Sequence, residues 1–226
     1  MKYQWILFDA DETLFSFNSF LGLKSMLLKY GINFTLEDYD EFQSINKPLW
    51  IAYQNNEIEA KDIQQIRFKK LSEQTGVEPL ILNNQLMEEM ATLSHPLEGV
   101  KSTLDKLYGI INMGIITNGF NALQQKRLMN TQMDKYFDIV VVSEMVGEAK
   151  PSSKIFEFAF AKMGSIKKEK ILMVGDTLTS DIQGGINVGV DTCWFNHTQS
   201  ENNTAIIPTY EIKRFSDLIK IVCGKI

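Results

Sequence analysis

Acidic residues follow two apolar runs of the sequence, at spacings that suit the binding of a divalent cation. Asp9 and Asp11 come directly after a run of four apolar residues, and Asp176 and Asp181 follow a second such run. A carboxylate at the end of a buried strand is costly unless it is paired or binds a cation. Mg²⁺ prefers such oxygen ligands and keeps sites for water and phosphate. An Asp-x-Asp pair alone is more often a polar turn, so other residues must support the metal interpretation.

Three further residues could complete a site for a phosphate group. Thr117 and Asn118 end another apolar segment, where a hydroxyl and an amide can hold phosphate oxygens with help from backbone N–H groups. Lys150 would supply positive charge among the carboxylates. Each has an ordinary alternative role, as a helix cap, a surface charge or a favourable charge at a helix start. In combination they predict a site for phosphate and a cation.

The elements that position these residues alternate from about residue 96 onward. Strand–helix alternation predicts βαβ units and a parallel sheet, whose ligands bind at the carboxyl ends of the strands. Lys150 follows its strand by a short loop. The predicted strands are Trp5–Phe8, Ile110–Thr117, Asp138–Val142, Ile171–Val174 and Thr192–Phe195, and the predicted helices are Val100–Tyr108, Asn121–Met129, Ser153–Met163 and Ser180–Val188.

Residues 16–95 interrupt this alternation with a helical segment. Four helices are predicted, over about 20–30, 35–53, 60–74 and 79–93, with short links that suggest a small bundle. The fold class is therefore α/β, a Rossmann-like parallel sheet flanked by helices, with a helical-bundle cap inserted after the first strand. We expect residues 1–15 and 96–226 to form the catalytic core and residues 16–95 the cap.

Composition excludes several classes of protein. The 226 residues carry a net charge of −5, which disfavours a nucleic-acid binder. Two cysteines and two histidines are too few for a disulfide scaffold, a cysteine-based zinc site or a histidine-rich metal site. No apolar run approaches the ~20 residues of a membrane span, and we expect no signal peptide from the short apolar stretch of the first residues. We therefore expect a cytoplasmic protein without nucleic-acid or membrane partners.

These motifs resemble those of the haloacid dehalogenase superfamily of phosphohydrolases, with a helical cap after the first strand. The likeness covers nearly the whole chain and extends to the bacterial pyrimidine 5′-nucleotidases, which remove phosphate from nucleoside monophosphates. The segments that carry it are Trp5–Phe15, Asn46–Trp50, Ile116–Phe120 and Leu172–Thr177.

The resemblance implies a role for each residue of the core motifs. Asp9 would be the nucleophile that forms an aspartyl-phosphate, and Asp11 would protonate the leaving oxygen and then deprotonate water. Thr117 and Lys150 would hold the transferring phosphoryl group, with Asn118 nearby through its backbone and side chain.

The resemblance also implies a metal site. Asp9, the backbone carbonyl of Asp11 and Asp176 would bind Mg²⁺, for which Mn²⁺ can substitute. Asp181 would orient a metal-bound water or Lys150. The cation and the lysine would mask the charge of the phosphate dianion, which otherwise repels an attacking carboxylate.

Substrate selection is expected from the cap. The implied substrates are UMP, dUMP and dTMP, and the candidate contacts are Asn18, Lys47 and Trp50, together with Asn118 of the core. Aromatic residues at helical spacing are more often part of a cap interior, so Trp50 has that alternative role. Phe15, Asn46, Tyr53 and Arg67 are further candidates.

Other functions stay open at this point. A capped phosphatase or phosphomutase could act on another small phosphoester, such as a sugar phosphate or phosphoglycolate. A phosphorylated receiver domain or an inactive scaffold is the non-enzymatic alternative, although receivers lack a helical insert of this size. The expected assembly is a monomer or a small homo-oligomer, and the preferred base and sugar are left undetermined.

Overall fold

Six strands form one parallel sheet in the computed structural model, which describes residues 1–224 of the chain. They are β1 (Trp5–Phe8), β2 (Asn112–Thr117), β3 (Ile139–Val142), β4 (Ile171–Gly175), β5 (Asp191–Phe195) and β6 (Tyr210–Ile212). The spatial order is β3-β2-β1-β4-β5-β6, so β1 lies between β2 and β4. The predicted Rossmann-like parallel sheet is confirmed, and β6 is an edge strand that was not predicted.

Eleven helices accompany the sheet within the described residues. They are α1 (Ser19–Leu28), α2 (Leu36–Gln54), α3 (Ala60–Ile66), α4 (Lys69–Thr75), α5 (Pro79–Leu93), α6 (Val100–Leu107), α7 (Asn121–Thr131), α8 (Ser143–Val146), α9 (Ser153–Met163), α10 (Gln183–Val188) and α11 (Leu218–Val222). Short 3-10 turns occur at Asp134–Tyr136, Lys168–Lys170 and Phe215–Asp217, and a π-helical turn spans Leu178–Ile182. Over residues 1–224, no helix combines the length and apolar character that a bilayer crossing requires.

Two helix predictions were wrong in detail. The helix expected over residues 60–74 is two helices, α3 and α4, which are separated at Arg67 and Phe68. The helix expected from Ser180 begins as the π-helical turn, and α8 and α11 were not predicted. Arg67 and Phe68 are both buried, so this break lies inside the helical unit defined below. The spacing of apolar residues in the sequence continues across Arg67 and Phe68, so it does not reveal that one helix ends there and another begins.

The described chain divides into two compact units. The core unit contains Met1–Ser16, His95–Asn118 and the chain from residue 131 onward, and the helical unit contains Phe17–Ser94 and Gly119–Asn130. The predicted cap comprised only residues 16–95, whereas residues 119–130, including most of α7, pack with the helical unit. Strand–helix alternation indicates that α7 exists but does not indicate which unit it joins.

The core unit buries both faces of its central strand. Trp5 and Leu7 of β1 pack in one apolar cluster with Phe156 of α9. Phe8 points to the other face, where its ring stacks on Phe215 with centroids 5.8 Å apart. A strand buried on both faces needs apolar residues at every position, which explains the uninterrupted apolar run that ends at Asp9.

A capping box begins α2 in the helical unit. Thr35 Oγ1 accepts a hydrogen bond from the Asp38 backbone N–H at 3.2 Å, and the Asp38 carboxylate accepts from the Thr35 N–H at 2.8 Å. This capping box satisfies two backbone donors that the first turn of α2 would otherwise leave unpaired. Pro79 occupies the first turn of α5, where its missing N–H leaves no donor unpaired.

Close packing of α10 on β5 requires a glycine. A Cβ atom at Gly185 would lie 2.6 Å from the methyl carbon of Thr192 and 3.3 Å from Cβ of Met173. Neither atom can move freely, since one belongs to a β-branched strand residue and the other is attached directly to the backbone. Gly185 therefore sets how near the helix approaches the sheet.

We expect Gly185→Ala to lower the free energy of unfolding by about 1–3 kcal/mol, the usual cost of overpacking. Gly22→Ala is the matched control, because it adds the same helix propensity and its Cβ meets mainly Met90 Sδ, on a flexible side chain. Its effect should stay below about 1 kcal/mol. Urea denaturation of both variants measures the difference, and equal losses would contradict the proposed tight helix–sheet contact.

Candidate active site

The ammonium group of Lys150 stands at the centre of the candidate site. Its Nζ atom donates hydrogen bonds to Asp9 Oδ1 at 2.5 Å and to the Ile116 carbonyl oxygen at 2.7 Å, and it lies 2.7 Å from Asp181 Oδ1. The side chain is only 1% exposed. Burial alone would lower the pKa of Lys150, but the carboxylates of Asp181 and Asp9 outweigh burial and raise it. Lys150 is therefore a permanent cation with all three of its hydrogens directed at acceptors.

Asn118 fixes the backbone of this lysine. Its Nδ2 donates to the Lys150 carbonyl oxygen at 2.9 Å, and the Lys150 N–H donates to Asn118 Oδ1 at 2.7 Å. The sequence placed the Asn118 side chain with the phosphoryl group. In the structure both ends of its amide bind the Lys150 backbone, so the side chain positions the lysine.

Three carboxylates gather around the lysine. One oxygen atom from each of Asp9, Asp176 and Asp181 lies within 4.8 Å of the others. Burial raises the pKa of Asp176 to about 8, and the neighbouring charges of Asp181 and Asp9 add to this effect. Burial also raises the pKa of Asp181 to about 6, although Lys150 opposes the shift. Three ionised acids against one ammonium would leave excess negative charge, so the site either keeps a proton or takes up a cation, and this oxygen-rich donor set fits a hard divalent cation.

The group differs in one member from the predicted ligand set. The sequence pointed to Asp9, Asp11 and Asp176, with Asp11 acting through its backbone carbonyl. The clustered carboxylates include Asp181, which was expected outside the ligand set, and do not include the Asp11 side chain. Asp181 Oδ1 lies 2.7 Å from Lys150 Nζ, and orientation of the lysine stays one of its two predicted roles.

A tight loop presents Asp11 after β1. The Ala10 carbonyl oxygen accepts from the N–H groups of Leu14 and Phe15, both at 3.0 Å, and the Glu12 N–H donates to the Phe15 carbonyl at 2.8 Å. Glu12 has a φ of 54°, in the left-handed region that few non-glycine residues adopt. Asp11 is half-buried in this loop.

Thr117 ends β2 with a buried hydroxyl group. Its Oγ1 atom has no hydrogen-bond partner among the described residues, although the side chain is only 1% exposed. Buried polar groups are nearly always paired, because leaving one unpaired is costly. An unpaired hydroxyl beside the strand that carries Asp9 suits the binding of an oxygen-bearing substrate group.

Two residues of the site were missed by sequence reasoning. Thr13 Oγ1 donates to Asp176 Oδ1 at 3.1 Å, and Trp194 Nε1 donates to the Asp176 backbone oxygen at 2.7 Å. Thr13 lies within the first acidic motif, where its buried hydroxyl could have indicated a role. Trp194 has no such indication, because its contact depends on β5 lying next to β4.

The substrate contacts predicted in residues 16–95 belong to the helical unit. Asn18 is exposed and caps α1, with its Oδ1 accepting from the Leu21 N–H at 3.0 Å. Lys47 is exposed on α2. Trp50 is half-buried, and its ring centroid lies 5.4 Å from that of Phe120.

Arg67 is a buried cation next to this aromatic pair. Its guanidinium donates to Asn83 Oδ1 at 2.5 Å and to Asn46 Oδ1 at 3.3 Å, and it lies 5.1 Å from the Phe120 ring centroid and 5.2 Å from that of Phe68. Burial lowers the pKa of Arg67 to about 9, so the group stays charged at neutral pH. We call Asn46, Trp50, Arg67 and Phe120 the aromatic–arginine cluster.

Comparison with known sequences agrees with this geometry. The sequence model of the haloacid dehalogenase-like hydrolases matches residues 3–189. The chain is 47% identical over 223 residues to pyrimidine 5′-nucleotidase YjjG of Escherichia coli (strain K12), covering 99% of each protein. It is 33% identical over 224 residues to pyrimidine 5′-nucleotidase PynA of Streptococcus pneumoniae, covering 97% of this chain and 94% of that protein.

Comparison with a solved structure supports the same fold family. The crystal structure of the HAD-hydrolase YfnB from Bacillus subtilis, bound to magnesium, superposes with a TM-score of 0.83 at 29% identity and covers 98% of this chain and 99% of that one. Both the matched family model and the relatives extend over most of the chain and over the acidic motifs. The chain therefore belongs to the haloacid dehalogenase-like hydrolases.

Proposed function

We propose that this chain is a Mg²⁺-dependent phosphatase that hydrolyses pyrimidine nucleoside 5′-monophosphates, among them UMP, dUMP and dTMP, to nucleoside and phosphate. The observation that carries the proposal is the buried group of Lys150 with Asp9 and Asp181, adjoined by Asp176. Similarity to the two pyrimidine 5′-nucleotidases over the full chain supports the substrate class.

In the proposed reaction Asp9 is the nucleophile. Its carboxylate attacks phosphorus, the bond from phosphorus to the 5′ oxygen breaks, and an aspartyl-phosphate forms. The positive charge of Lys150, which lies beside Asp9, and the unpaired Thr117 hydroxyl hold the phosphoryl group by stabilising negative charge on its oxygens. Asp11 gives its proton to the departing 5′ oxygen. It then takes a proton from the water that attacks the aspartyl-phosphate and releases phosphate.

Asp9, the backbone carbonyl of Asp11 and Asp176 are the proposed ligands of Mg²⁺. Asp181 holds Lys150 or orients a metal-bound water, and Mn²⁺ can substitute because it accepts the same oxygen ligands. When bound, the cation supplies positive charge that masks the phosphate dianion. The excess of carboxylates over cations in the described site supports this assignment.

The helical unit is proposed to bind the base. In the aromatic–arginine cluster, the Trp50 and Phe120 rings offer apolar faces for a pyrimidine, and Arg67 offers a cation beside them. Asn18, Lys47 and Asn118 remain proposed contacts, although the side chains of Asn18 and Asn118 already have structural partners. We further propose that the protein is cytoplasmic, a monomer or small homo-oligomer, and acts on small molecules.

The proposal is tested by phosphate release from a panel of phosphoesters, with Mg²⁺ and with a chelator. We expect the highest release from UMP, dUMP or dTMP and at least a 1,000-fold loss, in order of magnitude, for Asp9→Asn, since the covalent step then fails. Asp191→Asn is the matched control, because Asp191 pairs with Lys2 at the amino-terminal edge of the sheet.

Other outcomes of the panel would separate the alternatives. Release only from sugar phosphates or phosphoglycolate would keep the hydrolase mechanism and reject the nucleotide substrate. Conversion of a sugar phosphate to an isomer without free phosphate would identify a phosphomutase. Substantial turnover by Asp9→Asn would reject Asp9 as the nucleophile.

The raised carboxyl pKa values predict how Mg²⁺ stabilises the fold. From an ordinary value of 3.8, the pKa is raised to about 8 for Asp176 and about 6 for Asp181. Between pH 3.8 and about 8 the folded, metal-free protein holds more protons than the unfolded chain. The contribution of these two carboxyl groups to the stability of the metal-free protein therefore declines as pH rises through this range. Mg²⁺ binds the deprotonated carboxylates and should therefore stabilise more at pH 8 than at pH 5.

Thermal unfolding at several pH values, with and without Mg²⁺, measures this effect. We expect one fixed Mg²⁺ concentration, about 100 times the Kd measured at pH 8, to raise Tm by roughly 5–10 °C at pH 8. The increase should be smaller at pH 5 and nearly absent in Asp176→Asn. A rise in Tm of the same size at every pH would argue against metal binding by these carboxylates.

The base-binding proposal predicts a substrate-dependent effect of Trp50→Leu. We expect kcat/KM for UMP to fall about 5- to 100-fold, the range for loss of one base-stacking contact. For ribose 5-phosphate, which has a sugar and a phosphate but no base, kcat/KM should change less than about twofold. Ile51→Ala, at an exposed position next to Trp50 on α2, is the control. Equal losses for both substrates would indicate a structural role for Trp50.

A further inference from the structure

A tryptophan of β5 holds the backbone of a proposed metal ligand. The indole Nε1–H of Trp194 donates to the Asp176 carbonyl oxygen at 2.7 Å. Trp194 is 6% exposed, and its Cα pairs with that of Gly175 in the β4–β5 ladder. β4 ends at Gly175, so Asp176 lies one residue beyond the end of its strand. The indole thus forms a hydrogen bond to the backbone of Asp176, which lies just outside the hydrogen-bonded ladder of β4.

The side chain of Asp176 is restrained separately. Its carboxylate accepts from the hydroxyl of Thr13 at 3.1 Å and from that of Thr177 at 3.2 Å. Hydrogen bonds from two hydroxyls and one indole therefore reach both the side chain and the backbone of one residue. A neutral donor to the backbone fixes position without neutralising the carboxylate, so the negative charge remains available to a cation.

Electrostatic repulsion makes such a restraint necessary. The Asp176 carboxylate faces the like charges of Asp9 and Asp181 within one group of oxygens. Lys150 bonds to Asp9 and Asp181, whereas the structure records no ion pair between Lys150 and Asp176 among the described residues. Asp176 is therefore the member of the group that no ammonium group holds among the described residues, and in the carboxylate form that a cation requires, repulsion would move it most easily.

We propose that Trp194 is a positioning residue that preorganises Asp176 to bind the divalent cation, and that its indole reports the occupancy of that site. The proposal rests on the metal site of the proposed function and goes beyond it, since it assigns a role to a residue outside the acidic motifs. Holding a ligand in place before binding removes part of the ordering cost of binding. The role is distinct from catalysis, because the indole N–H of Trp194 donates to the backbone carbonyl of Asp176 and not to a reacting atom.

The test compares cation binding by the full chain and by Trp194→Phe, with Mn²⁺ followed by electron paramagnetic resonance and without substrate. We expect the Kd for Mn²⁺ to rise about 3- to 10-fold, the effect of losing one hydrogen bond. With UMP as substrate, the Mg²⁺ concentration for half-maximal rate should rise by a similar factor. At saturating Mg²⁺, kcat should return to within about twofold of the unsubstituted protein.

Two controls separate positioning from packing. Trp5→Phe makes the same change at an equally buried tryptophan, at the amino-terminal end of β1, and should leave the Kd for Mn²⁺ unchanged. Replacing Trp194 with benzothienylalanine keeps the ring shape and removes only the N–H donor. It should weaken Mn²⁺ binding as Trp194→Phe does, while the Tm of the metal-free protein changes little.

Fluorescence provides an independent reading of the same site. In a chain with Trp5→Phe and Trp50→Phe, Trp194 is the one tryptophan left of the three in the sequence. Addition of Mg²⁺ should change its emission, with a midpoint at the Kd, and Asp176→Asn should abolish the change. An unchanged Kd for Mn²⁺ in both Trp194 variants, or an equal rise in Trp5→Phe, would overturn the inference. If the unsubstituted protein binds no cation, the metal site of the proposed function fails instead.

Discussion

The placement of one buried ammonium group governs the structure of the site. Lys150 cannot be withdrawn from water without acceptors on every side, and Asp9, Asp181 and the Ile116 carbonyl meet this requirement. The same contacts bring two carboxylates close to each other, and Asp176 adds a third. Folding therefore places three carboxyl groups beside one ammonium group, and the site carries excess negative charge when all three are ionised. A dianionic substrate is compatible with it only if a further cation enters, so the charge balance couples metal binding to phosphate binding.

The parallel sheet makes this charge arrangement geometrically possible. β1 lies between β2 and β4, so Asp9 emerges with Thr117 on one side and Asp176 on the other. Lys150 arrives from a loop, and the Asn118 amide fixes its backbone at two points. The strands thus deliver the proposed reacting groups, while hydrogen bonds outside the sheet position those groups that no strand holds. This division explains why residues of no chemical reactivity, such as Trp194, can matter for the site.

Much of the site could be predicted from sequence because strand ends are easy to recognise. The abrupt change from apolar residues to Asp9, and from apolar residues to Asp176, reflects strands that are buried on both faces and end at one edge. Contacts between side chains on distant segments leave no comparable pattern. Neither the gathering of Asp181 with the other acids nor the Trp194 hydrogen bond follows from spacing. The break at Arg67 and Phe68 was missed for a related reason, since both residues are buried and the local apolar periodicity does not mark where one helix ends and the next begins.

The membership of residues 119–130 in the helical unit bears on how such proteins can be recombined. The chain passes between the units four times, at 16/17, 94/95, 118/119 and 130/131, so the helical unit is not one continuous insertion. The second segment is joined to the first by the Lys126–Glu88 ion pair and by a hydrogen bond from Asn130 to the Ala91 carbonyl. A chimera that exchanges only residues 17–94 with a relative would separate these partners. Transplantation of an intact helical unit therefore requires both segments.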